Sequence, residues 1–134
     1  MTASARVATF RGESSVCLTA GSTSFTVLPA LGMLGASLRH GGGEYVSLNG
    51  GPTAFVAGHT TGVPLLAPWA NRLAGDRYRV GRTSIDVGGC AGVGRDGNGL
   101  PMHGTMLGRH VWDVVDLEAD LDRDVARLSA RFPF

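Results

Sequence analysis

Apolar and polar residues alternate along Thr23-Ser24-Phe25-Thr26-Val27-Leu28 until Pro29 stops the run. That period of two lays one face of a strand on a core. Shorter β-prone pieces recur at residues 15–19, 36–39 and 45–48. Ala20-Gly21-Ser22 and Gly41-Gly42-Gly43-Glu44 separate these pieces, and glycines there permit the backbone angles of tight turns, so hairpins are the predicted connections. Farther on, Tyr78-Arg79-Val80 and residues 83–87 flank Gly81-Arg82 in another short-hairpin arrangement. Residues 110–117 fit a strand or a helix by apolar spacing; their valines and Trp112 favour a strand, with residues 125–132 as its partner. The expected fold is all-β and antiparallel.

Two stretches break the alternation. Residues 88–99 hold six glycines and no apolar period, which reads as a long connection, a kind of segment that is often functional. Residues 62–78 carry Pro64, Pro68 and a polar Asn71-Arg72 pair, which exclude a regular central strand and predict a shaped loop. Glu118, Asp120, Asp122 and Asp124 read as a solvated turn, since a calcium loop would need a central glycine and a terminal glutamate.

Composition narrows the function classes. The chain has 134 residues, enough for one modest domain, and no linker divides it. Its 21 glycines and low charged fraction of 17% fit a turn-rich β protein. A net charge of +1, with scattered cations, offers no stripe for nucleic acid. The opening Met1-Thr2-Ala3-Ser4-Ala5-Arg6-Val7 lacks the apolar core of a secretory signal, and no run approaches a membrane span, so a cytoplasmic location with no membrane partner is expected. Cys17 and Cys90 stand far apart without neighbouring ligands; buried reduced thiols are expected, with no metal site.

Three side chains stand out by type. Asn71 offers an acceptor and donors, and Arg72 a rigid fork of donors, a pair suited to adjacent sugar hydroxyls; a braced loop with a surface arginine is the alternative. His103, between the turn-rich Gly97-Asn98-Gly99-Leu100-Pro101-Met102 and Gly104, is the best proton-handling candidate because imidazole titrates near neutral pH. Trp69 and Trp112 could offer a flat face to a sugar ring or anchor the core. His40, His59 and His110 have no comparable context.

With Pro68-Trp69-Ala70-Asn71-Arg72 inside residues 62–78, the chain resembles the aldose 1-epimerase (galactose mutarotase) family. His103-Gly104 followed by Gly108-Arg109-His110-Val111-Trp112 is similar to that family's later His-Gly…Trp motif, and the pattern around Gly35-Ala36-Ser37-Leu38 extends the similarity over the chain. The resemblance implies a large antiparallel β-sandwich, the mutarotase-like supersandwich, with residues 1–134 as the N-terminal part of one such domain. It also implies a carbohydrate isomerase that interconverts the α and β anomers of aldohexoses such as galactose and glucose by acid–base ring opening, without a cofactor. Asn71, Arg72 and His103 would bind the monosaccharide, with His103 also polarising it as part of the catalytic apparatus.

In that family the principal acid is a second histidine and the base a later glutamate. No histidine follows His110, and the only later glutamate is Glu118 in the predicted acidic turn. Phe132-Pro133-Phe134 resembles the start of the stretch that carries the second histidine, so the chain is expected to be a fragment with little activity alone, either marginally stable or stabilised by self-association through unpaired strands. The alternatives are a non-catalytic carbohydrate-binding or regulatory module, and a hexose-phosphate epimerase fragment. The last would need a cationic pocket from Arg77, Arg79, Arg82 or Arg95.

Overall fold

The computed structural model describes residues 2–108 and 110–133, so Arg109 of the later motif and the terminal Phe134 lie outside the described residues. The fold is all-β, and its strand pairs are antiparallel. Two compact units form: Met1–Pro64 with Gly108–Phe134, and Leu65–Leu107.

The first unit is a meander of β1 (Ser4–Phe10), β2 (Glu13–Ala20), β3 (Thr23–Leu28), β4 (Leu34–His40) and β5 (Gly43–Glu44), paired in that order. Gly41 and Gly42 turn β4 into β5 with φ of 54° and 87°, a pair of positive angles that side-chain-bearing residues seldom adopt. β1 is not among the expected strands: its β-prone Val7, Thr9 and Phe10 are interspersed with Ala5, Arg6 and Ala8, which blur the period of two.

The core sits where β2, β3 and β4 meet the 3-10 turn Pro29–Leu31. Val16 lies opposite Val27, and Leu28 opposite Leu34. Leu28, Leu31 and Leu34 are fully excluded from solvent. A bulge between Thr26 and Val27 breaks strict alternation, so Leu34–Ser37 buries consecutive residues on both faces. A short helix α1 (Gly51–Val56) adds Phe55 to the buried set. Six residues are too few for a helical period to register in the sequence.

The strand expected at residues 45–48 does not form; β5 ends at Glu44. The reason is a side chain. Tyr45 donates its amide to the Leu38 carbonyl at 2.8 Å, the first half of the next ladder pair. The Leu38 amide is already donated to Glu44 Oε1 at 2.9 Å, and the same carboxylate accepts from Ser37 Oγ at 2.6 Å and the Val46 amide at 3.2 Å. The Glu44 carboxylate thus takes the place of a strand carbonyl and turns the chain out of the sheet.

The Ser37 hydroxyl, together with the Val46 and Leu38 amides, holds the Glu44 carboxyl below its ordinary 4.5. A lowered folded-state pKa contributes stability above 4.5 that disappears as pH falls through the folded value. Wild type should lose denaturation midpoint on acidification below that point, and Glu44→Gln, which cannot ionise, should lose less. Parallel acid-induced losses in urea titrations of the two proteins would contradict this account.

The hairpin β8 (Asp113–Asp120) and β9 (Val125–Arg131) completes the first unit. The strand expected from His110 begins three positions later at Asp113, because residues 110–112 are tied to the 3-10 turn instead: Gly32 donates to the His110 carbonyl at 2.9 Å and Trp112 to the Pro29 carbonyl at 3.0 Å. Trp112 and His110 both pack against Phe132, with centroids 5.6 and 5.3 Å away, so Trp112 is an anchor. Of the four acidic residues, Glu118 and Asp120 belong to β8. Asp120 Oδ1 caps the turn by accepting the Asp122 and Arg123 amides, and Asp124 Oδ1 accepts from Gly21.

In the second unit, β6 (Arg77–Val80) and β7 (Thr83–Asp86) form the hairpin expected around Gly81-Arg82. Trp69 meets Tyr78 edge-on at 6.0 Å, and Val87 and Met106 are buried. Both cysteines are free thiols, but neither is buried as expected: Cys17 is half-buried on β2, and Cys90 is exposed in the glycine-rich loop, where few apolar neighbours exist to cover it. No helix among the described residues is long and apolar enough to cross a membrane.

Candidate functional site

Asn71, Arg72 and His103 all belong to the second unit, on two irregular segments that backbone bonds fasten together. Thr105 donates to Ala67 at 2.8 Å, His103 to Asn71 at 2.9 Å, and Leu73 to Pro101 at 2.9 Å. Isolated bridges join Ala67 to Gly104 and Arg72 to Met102. The paired segments explain why a loop rich in proline and glycine has one shape.

The Asn71–His103 contact is reciprocal. The Asn71 amide donates to His103 Nδ1 at 3.2 Å while the His103 amide donates to the Asn71 carbonyl. Because Nδ1 accepts, the neutral ring carries its proton on Nε2, and His103 offers the second unit a hydrogen-bond donor. Both residues hold positive φ, 61° for Asn71 and 66° for His103, and Gly104 follows at 73°. Asparagine and histidine enter that region more readily than other side chains, and each still carries a modest strain of the kind that gathers at functional sites.

Arg72 is braced from two sides: Nε donates to Asp96 Oδ2 at 2.5 Å and Nη1 to Asn71 Oδ1 at 3.2 Å. Its side chain is 52% exposed while that of Asp96 is 6% exposed, so the acid is the fixed anchor and the guanidinium the presented group. The Leu100 amide, then the Arg72 guanidinium and the Asn98 amide, hold the Asp96 carboxyl below its ordinary 3.8. Asp96 therefore stays ionised at neutral pH.

Sequence reasoning missed Asp96. Its Oδ1 accepts the Asn98 and Leu100 amides at 2.9 and 3.0 Å, an Asx-type turn that Asp96-Gly97-Asn98-Gly99 does advertise. The turn was legible, but the partner 24 positions away was not.

Two of the four cationic residues considered for a phosphate pocket, Arg77 and Arg95, are otherwise engaged. Arg77 pairs with Asp86 at 2.7 Å, and Arg95 pairs with Asp76 at 2.8 Å and donates to the Gly99 carbonyl at 2.7 Å. Trp69, turned edge-on to Tyr78, has an indole N–H that is buried without a partner. Among the described residues no three His, Cys, Asp or Glu side chains are placed to share a metal ion. No protein-family model, curated protein or solved structure matches this chain.

Proposed function

We propose that Leu65–Leu107 presents one wall of a monosaccharide site, and that the chemistry it serves is aldose 1-epimerisation, the interconversion of α and β anomers through ring opening. The observation that carries the reading is the joined Asn71–Arg72–His103 group: a guanidinium fork, an amide and an imidazole N–H, braced from behind by Asp96 and by backbone pairing. Such fixed donors suit the vicinal oxygens of an aldohexose, and the His103 Nε2–H can polarise a sugar oxygen without a cofactor. The all-β antiparallel architecture agrees with the large sandwich of that enzyme class, in a cytoplasmic setting. No residue of this chain takes the role of the principal acid or base, so binding without turnover is expected of it alone.

Galactose added to the 15N-labelled chain should shift the amides of residues 71–73 and 103–104 saturably. Arg72→Gln should weaken that binding by roughly 10- to 100-fold, the worth of a charge-assisted hydrogen bond. Polarimetry of fresh α-galactose should follow the buffer rate. Absence of any saturable shift would remove the sugar site, and fast mutarotation would place the proton carriers inside the chain. The phosphate-sugar alternative is disfavoured by the carboxylate partners of Arg77 and Arg95.

A further inference from the structure

The guanidinium of Arg72 is the one cation in the group formed with Asn71 and His103, and it does not face a ligand with an uncompensated charge. Asp96 lies against its Nε edge, nearly buried, with its other oxygen committed to the Asn98 and Leu100 amides. Three bonds therefore fix the carboxylate in place: it cannot swing away to let an incoming anion take over Arg72. The Nη1 bond to Asn71 uses a further donor, which leaves the Nη2 edge to a ligand. A neutral hydroxyl needs only such a donor. A carboxylate or phosphate gains most from net positive charge, and Asp96 already neutralises it.

We infer that Asp96 is a specificity residue that spends the charge of Arg72 internally and so makes the site reject anionic sugars. The inference rests on the sugar-binding reading of this loop and adds to it which sugars are refused. Asp96 acts through Arg72 and by repulsion of an approaching anion; it is not itself a ligand for the sugar. The same carboxylate that orients the fork for hydroxyls sets the penalty against acids, a form of discrimination built from a repulsive element.

The test is a gain of function, which a purely structural role for Asp96 would not produce. Asp96→Asn keeps an acceptor for the Asn98 and Leu100 amides, so the turn survives while the charge disappears. Wild type, Asp96→Asn and the double variant Asp96→Asn/Arg72→Gln are titrated with galactose, galacturonate and inorganic phosphate, and the Arg72 Nε–H resonance and amides 71–73 are followed by NMR. The expected result is that Asp96→Asn binds galacturonate and phosphate about tenfold or more tightly than wild type, with the gain abolished in the double variant. No gain for either anion in Asp96→Asn, or a gain that persists without Arg72, overturns the inference. Asp96→Ser, which also retains a turn acceptor, gives the same readout if the asparagine variant folds poorly, and an absence of gain there counts equally against it. Galactose binding by wild type reports on the sugar site itself: its failure alongside a phosphate gain in Asp96→Asn would sink the proposed function and leave the charge relation standing.

Discussion

Gly104→Ala should destabilise the second unit by about 3 kcal/mol or more, from two penalties that act together. A residue with a Cβ at φ of 73° is strained on its own account. The added carbon would also collide with the Ala67 carbonyl and the Pro68 nitrogen, which are backbone atoms and cannot rotate aside. Relief requires the two segments to separate, which breaks the Thr105–Ala67 bond and loosens the Asn71–His103 pair behind it. Denaturant unfolding measures the loss, and amide exchange at Thr105 and His103 should accelerate with it. A variant with unchanged midpoint and protected amides would show that the segments are not packed as described.

Leu28→Ala and Leu34→Ala should each cost about 2–5 kcal/mol, the range for truncating a fully buried leucine into an incompletely collapsing cavity. The two side chains face each other across β3 and β4, where neither is exposed at all. Their effects should not add, because removing the second leucine enlarges a cavity that the first has opened. A small marginal stability means that either change alone could bring unfolding into the working range. Equilibrium urea unfolding of the single and double variants decides the matter: losses under about 1 kcal/mol for each would mean that the core is centred elsewhere.

The hairpins were readable because glycine-containing turns punctuate alternating runs; Gly41-Gly42 and Gly81-Arg82 lie where the chain reverses. Residues 45–48 misled the same logic because alternation describes side-chain faces, while the ending of β5 depends on which group occupies the Leu38 amide. β1 was harder to read because Val7, its one aliphatic β-branched residue, is 68% exposed and Ala5 and Ala8 mark no clear face. Asn71 and His103, 32 positions apart, were singled out by motif and residue type, whereas their reciprocal bond belongs to the folded backbone. Asp96 shows the boundary most clearly. Local turn chemistry can be read along a chain, but an ion pair between two loops cannot, because nothing in either loop specifies the distance between them.

The Glu44 carboxylate has one further effect. An open sheet edge is a template on which another chain can add a strand, and proteins that leave one exposed risk aggregation. Along the outer side of β4, Gly35 exchanges both of its backbone bonds with Val63, β5 covers Arg39 and His40, and Glu44 occupies the Leu38 amide between them. A side chain thus completes a seal that backbone alone leaves open, and protonating that side chain in acid unlatches the seal at the position where strand addition would begin.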